Sequence, residues 1–418
     1  MRAVLTLFLS LTIFATSTAG QQSSARAAKE KPEAAPAASF DKAEFERLRG
    51  EGNEALYNTD YATARDRYTR LTKMAPDHPA GYVYLANNVW LETLYLQRRL
   101  TTSTYTGGSF YEQDKDEDKV DPKRDLEFKD LIKHALTITR ARLAKNPNDV
   151  EAIYYDGAAL GLRAGYSTTV ARSFRRAIGD ANNSVKMQRK VVKLDPTWID
   201  AYMSIGLYEY VIDSLPTFWK LLARVAGLKG SKKKGIELLE MVAEKGSQSQ
   251  DDARVLLIGI YSREGQHERA LDVTNKLAQK YPRNYLFQQE RATMLYRLNR
   301  ADEGARVYAE MLKDTRISQT FADLLYYQWG EALMSRGDYA AAVEKYDAVK
   351  QWQKSHKNLI SLAHLKTGQA LDALGKRNEA VAEYQVVLKR ENIYDSHKLA
   401  SQYVKKPYAP AKGEGEKG

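Results

Sequence analysis

The sequence predicts an all-α solenoid of about eight helical hairpins, and three observations carry that reading. Between Asp323 and Tyr384 one pattern occurs twice: Gly330, Gly337, Ala342 and Tyr346, then Gly368, Gly375, Ala380 and Tyr384, at matching spacings. The same frame returns from Phe45, with Gly52, Tyr61, Ala64, Tyr68 and a closing Pro76, and from Asp251, with Tyr261, Gly265, Ala270 and Pro282. Self-similarity at a fixed period marks an architecture in which each unit buries its apolar face against its neighbours. No stretch alternates apolar and polar residues long enough to predict a sheet. With 43% hydrophobic residues and 27 tyrosines, the chain can bury a substantial core.

Taken in order, Arg2 precedes an apolar run from Ala3 to Ala15, followed by the small residues Ser17, Thr18 and Ala19. A run of that length suits the core of a signal peptide better than a membrane anchor. Residues 1–20 are therefore expected to direct export, to the periplasm or cell envelope of a bacterium or to secretion. The chain has no cysteine, so its fold has neither disulfides nor thiolate-bound metal. Residues 21–40, rich in Ala, Gln, Ser, Lys, Glu and Pro, read as a disordered linker, and 41–394 as the solenoid.

The first unit, 45–78, is preceded by Ser39 or Asp41 as helix cap, with Glu44 completing a partial capping box. Repeats over 79–250 are interrupted. The second places Tyr82, Leu85, Ala86 and Val89 on one helical face, then carries a polar, charged insertion over 101–125 before a helix from Leu126 to Lys145. The third starts near Val150 with Gly157, is broken around Gly165 to Gly179, and ends at Pro196. The fourth carries Tyr202, Ile205 and Gly206, then a detour from Ser214 to Lys234 before a helix from Gly235 to Lys245. Regular units follow at 251–284, 285–318, 323–356 and 361–394. Residues 395–418 read as a partly helical extension that becomes a disordered tail from Lys405.

The Gly, Gly, Ala and Tyr frame resembles the tetratricopeptide repeat, a helical hairpin of about 34 residues. The resemblance implies a right-handed solenoid whose first helices line a concave groove, with positions two, five, nine and twelve of each unit facing it. Those positions supply the candidate partner-binding residues Arg49, Asn53, Asn87, Trp90, Tyr210, Gln289, Tyr296, Tyr327 and Glu331, together with Met203, Leu207 and Thr293. Polar side chains there can hold an extended peptide's backbone, and aromatic ones give rigid contact area; each could equally be packing. Arg49 and Asn53 partly match a clamp for a terminal carboxylate, but Tyr84, Glu151 and Tyr155 stand where its other polar and basic residues belong. Over roughly 150–300, the order Asp200-Ala201-Tyr202, Ser214-Leu215-Pro216, Gly227, Gly230 and Gly235-Ile236-Glu237-Leu238-Leu239 is similar to that of the tetratricopeptide repeat protein 39 group. That second resemblance implies a lipid-related or membrane-adjacent role.

Motifs for chemistry are missing. The six histidines form no His-Glu-x-x-His pair, and there is no Gly-x-Ser-x-Gly elbow or Walker loop. Gly230-Ser231-Lys232-Lys233-Lys234-Gly235 reads as a solvated helix-start loop, with anion binding the sharper alternative. Asp114, Asp116 and Asp118 alternate like calcium ligands, but Lys119 and Asp125 fall where Gly and Glu are needed, so the segment reads as a charged insertion. Net charge is +11, and Arg163, Arg172, Arg175, Arg176, Lys186, Arg189, Lys190 and Lys193 cluster, favouring a solvated face or an anionic protein or lipid surface over nucleic acid. Phe218, Trp219, Leu222 and Val225 form an apolar helical face, read as a plug for the solenoid core, with a membrane-surface or partner helix as the alternative. The expectation is a non-enzymatic scaffold for a protein or peptide partner, without metal or cofactor. The alternative is a solute- or lipid-binding accessory of an envelope transport system.

Overall fold

The computed structural model describes residues 41–410 apart from 101–119, 172, 216, 218, 219, 222, 223 and 225–227. The expected signal segment and linker, the run of Asp114, Asp116 and Asp118, Arg172, the side chain of Arg175, the Phe218, Trp219, Leu222 and Val225 face, and 411–418 lie outside the described residues. The described residues form seventeen α-helices and no strand.

Sixteen of those helices pair into eight hairpins. The first four are α1 (Lys42–Tyr57) with α2 (Tyr61–Met74), α3 (Pro79–Leu96) with α4 (Pro122–Lys145), α5 (Val150–Thr169) with α6 (Phe174–Leu194), and α7 (Tyr202–Asp213) with α8 (Lys232–Lys245). The last four are α9 (Gln250–Arg263) with α10 (His267–Lys280), α11 (Tyr285–Arg297) with α12 (Ala301–Lys313), α13 (Thr315–Arg336) with α14 (Tyr339–Gln351), and α15 (Lys357–Ala373) with α16 (Arg377–Lys389). Helix α17 (Ser396–Lys405) packs on the final pair, and each helix packs on the next along the solenoid.

The repeating residues explain the pairing. Tyr68, Tyr346 and Tyr384 are fully buried in the second helices of their hairpins. A Cβ built on Gly330 would sit 2.5 Å from the Tyr346 ring, and Gly52 and Gly368 face Tyr68 and Tyr384 as tightly. Each glycine is thus the slot for a ring sixteen positions on, and any larger residue would drive the helices apart. Ala64, Ala342 and Ala380, also fully buried, let the same pairs approach. Gly265, Gly337 and Gly375 turn the hairpins with φ of 72°, 84° and 75°, where Thr59 and Asn299 hold the same place in their units at φ 60°. Asp41, Asp60 and Asp149 cap α1, α2 and α5 by accepting from backbone amides of the first turn.

Two expectations about the interrupted repeats need correction. The break expected around Gly165 to Gly179 is confined to 170–173: α5 runs through Gly165, where the Trp90 ring lies against the helix, 2.5 Å from a built Cβ. The partner helix of the second unit begins at Pro122, ahead of Leu126, with Asp121 accepting from Lys123 N as its cap.

The solenoid coils tightly enough for its beginning to meet its second half. At the tip of the first hairpin Tyr57 donates its hydroxyl to Asp252 of α9 and stacks on Tyr281, with ring centres 4.9 Å apart. Asn284 Nδ2 donates to Tyr57 O at 2.7 Å and Arg283 N to Asn58 Oδ1 at 3.2 Å. At the tip of the second, the Tyr95 ring lies edge-on to Phe321 at 5.2 Å, Arg98 pairs with the fully buried Asp323 carboxylate, and Arg99 donates to the Tyr394 hydroxyl at 3.2 Å. Contacts between units that lie far apart in sequence therefore fix the coil.

Candidate interaction site

The coil divides the groove positions into two groups. In the N-terminal group, the junction between the fourth and fifth hairpins packs against the first helices of the second and third. Asp200 organises that junction, accepting from Ser247 N, Gln248 N and Ser249 N at 3.1, 2.9 and 2.8 Å and from Ser247 Oγ at 2.8 Å. Gln248 Oε1 then accepts from Tyr84 and Tyr155 hydroxyls at 2.7 and 3.0 Å, and Ser249 Oγ lies 3.4 Å from the Tyr154 hydroxyl. Three aromatic groove residues are thereby spent on the protein's own loop.

The sequence-derived candidates of this region are similarly engaged. Arg49 pairs with Glu46, Asn53 accepts from the Tyr68 hydroxyl at 2.6 Å, and Trp90 donates from Nε1 to Thr169 at 2.8 Å while covering Gly165. Asn87 is half-buried on α3. Further along, Tyr210 is buried and donates to Glu264 at 2.8 Å; Gln289 is buried in α11; and Tyr296 is buried, accepting from Trp329 Nε1 at 2.6 Å.

The C-terminal group comes together on hairpins seven and eight. Tyr327 on α13 is half-buried, its ring 5.8 Å from that of Tyr346. Glu331, one turn on, accepts from the Tyr346 hydroxyl at 2.5 Å and from Lys366 Nζ at 2.8 Å. Burial works against the Lys366 charge, but the facing Glu331 carboxylate outweighs it and raises its pKa, so the ammonium stays protonated. Burial also raises the Tyr327 and Tyr346 hydroxyls well above their ordinary range, which keeps both as hydrogen-bond donors at neutral pH. On the opposite face of α15, Glu383 accepts from Lys350 at 3.0 Å and lies 2.6 Å from His364 Nδ1. The bay is completed by Asp372 on α15, which accepts from the Tyr384 hydroxyl at 2.8 Å and pairs with Arg377 at 2.9 Å. Fixed donors, fixed acceptors and aromatic faces on rigid helices suit recognition of a backbone and its side chains.

Of these, Tyr327 and Glu331 were legible from groove spacing. Asp372 stands at the twelfth position of a unit beginning at 361, so the same rule reaches it. Lys366 has no such signal. On the outer surface, Lys186, Arg189, Lys190 and Lys193 are exposed on α6, but Arg163 is spent on Asp180 at 2.7 and 2.6 Å. In the lysine loop, Lys232 pairs with Glu264 at 2.8 Å and Lys234 with Glu209 at 3.3 Å, while Ser231 caps α8 by accepting from Lys234 N. Gly230 and Gly235 are needed there because backbone atoms of α7 crowd both positions, 2.5 and 2.6 Å from a built Cβ.

No curated protein matches the chain. Solved structures similar to it include a tetratricopeptide repeat protein from Parabacteroides merdae, 11% identical, covering 78% of this chain and 99% of that one with a TM-score of 0.33. Yeast Tom70 is 10% identical, covering 87% and 88% with a TM-score of 0.39. A human IFIT1 dimer with m7Gppp-AAAA is 13% identical, covering 88% and 88% with a TM-score of 0.40. Residues 49–87 and 327–396 match the family model for the tetratricopeptide repeat, so repeats of this type stand in the first and second hairpins and again in the seventh and eighth.

Proposed function

We propose that this protein is a non-enzymatic scaffold that binds a protein partner through the bay on hairpins seven and eight. One observation carries the reading. There, and not in the plugged N-terminal groove, half-buried groove residues of the tetratricopeptide-repeat segment, Tyr327, Glu331 and Lys366, converge with donors and acceptors already fixed. Preorganised polar groups around aromatic contact area lower the cost of ordering a partner. The N-terminal apolar run supports a place in the periplasm or cell envelope, and the exposed lysines of α6 support an acidic partner or an anionic lipid surface nearby.

A photo-crosslinking residue at position 327, compared with one at the exposed Lys276 on α10, tests the scaffold reading in cells. A discrete protein adduct from 327 and none from 276 is the expected result. Equal labelling from both positions, or none from 327, would remove the bay as the site.

A further inference from the structure

Composition marks the residues after Lys405 as a solvated tail, yet the first of them are seated. Beyond α17 the backbone is extended at Lys406, with φ −137° and ψ 127°, and Pro407 favours that geometry in the residue before it. The Tyr408 amide donates to Asp372 Oδ2 at 2.8 Å, and its ring meets Tyr403 edge-on at 5.5 Å. Lys406, Pro407, Ala409 and Pro410 are exposed, so Tyr408 is the one residue of this strap turned inward.

The receiving surface is also held by bonds from outside the strap. The Asp372 carboxylate is 0% exposed and is held by Arg377 and Tyr384. Arg377 Nη2 also donates to the carbonyls of Tyr403 and Val404 at 2.7 Å each, closing the end of α17 and fixing the Tyr403 ring. The Tyr403 ring that Tyr408 meets lies 5.5 Å from that of Tyr384, so the strap sits against the end of hairpin eight. A pre-built surface that takes one extended segment through one backbone amide and one aromatic ring has the form of a peptide site with a tethered occupant.

We propose that the bay between hairpin eight and α17 binds an extended peptide carrying a Pro-Tyr pair, and that residues 406–410 are its built-in competitor. The inference rests on the scaffold reading above and names its partner class. Proline on either side of the tyrosine preorganises the extended form, which reduces the ordering cost of binding. Tethering gives the strap a millimolar effective concentration, so the strap lowers the apparent affinity for an external peptide without closing the site.

The test titrates a fluorescein-labelled peptide, Lys-Lys-Pro-Tyr-Ala-Pro-Ala, the sequence of residues 405–411, against the full chain and against the full chain carrying Pro407→Gly and Tyr408→Ala. Fluorescence anisotropy is expected to show the substituted chain binding about tenfold tighter. A peptide with Ala for Tyr is expected to bind neither. Equal affinity for both chains would overturn the competitor, and no binding to either would overturn the site. A surviving crosslink from position 327 in that second case would show that the scaffold reading stands without it. Hydrogen exchange gives a readout free of substitutions: the Tyr408 amide is expected to be protected in the full chain and to lose protection when peptide is added. Protection unchanged at saturating peptide would overturn the proposal.

Discussion

The two ends of this solenoid use the same kind of concave surface in opposite ways. In the second and third hairpins the groove side is met by residues 247–249, which Asp200 ties down with several hydrogen bonds and which Tyr84, Tyr154 and Tyr155 grip from the other side. In the last two, the cover is a strap that enters through Tyr408, its amide donating to Asp372 and its ring edge-on to Tyr403. The difference teaches that repeat spacing finds the groove positions but says nothing about what the chain lays over them.

The largest way to break the comparison is to release the N-terminal plug. Asp200→Ala would leave three backbone amides without their acceptor, that of Ser249 buried and those of Ser247 and Gln248 partly so, and an unmade buried bond costs about 1 to 3 kcal/mol. Stability measured by urea unfolding is expected to fall by about 3 to 5 kcal/mol. A loss under about 1 kcal/mol would mean that the plug is held no better than the strap.

The next effect is pH-dependent and belongs to the coil contact beside the plug. Burial pushes the Asp252 carboxyl up to about 6; the Tyr57 hydroxyl pulls it down, and Asp251 and Asp200 push it up further. A raised acid is favoured in its neutral form by the folded state, so this contribution is full at low pH and is lost as pH rises from about 4 through about 6. Asp252→Asn keeps a neutral acceptor there. The variant is expected to be more stable than the unsubstituted chain above pH 7, by up to about 3 kcal/mol, with the difference vanishing near pH 4. A difference that grows toward low pH would contradict the assignment.

Smaller effects sharpen the picture of the regular half. Gly368→Val presses a branched side chain into the Tyr384 ring and is expected to cost about 1 to 3 kcal/mol by thermal unfolding. Gly375→Ala meets no atom within 4 Å, so its expected cost of about 1 kcal/mol comes from the backbone at φ 75° alone. Gly259→Ala, in α9 and also with nothing within 4 Å, is expected to gain about 0.5 to 1 kcal/mol. Equal signs for the two alanine substitutions would refute the backbone explanation.

These residues also show what the sequence could and could not convey. The fold class was legible because one steric problem, a tyrosine ring in a glycine slot, recurs at a fixed distance in three hairpins. Gly165 misled for the same reason. Taken as the start of the break, it is a slot for Trp90 within α5, and no local pattern distinguishes the two uses. The contacts of Tyr57 with Asp252, and of Arg98 with Asp323, join residues about two hundred positions apart and leave no periodic trace. Candidate groove residues such as Tyr296 and Trp90 sit at the expected spacings but are spent within the chain. Tyr408 was hidden in a composition typical of a tail, because its partner, Asp372, lies in another helix.

The most direct test compares how the two covers open. Hydrogen exchange followed by mass spectrometry on the full chain, at denaturant concentrations below unfolding, reports amides 247–252 and 406–410 in one experiment. The account predicts that the plug exchanges only with the global unfolding of the N-terminal hairpins, its rate rising with denaturant, whereas the strap exchanges by a local opening nearly independent of denaturant. Plug amides that exchange as fast as the strap, or a strap that opens only on global unfolding, would contradict it.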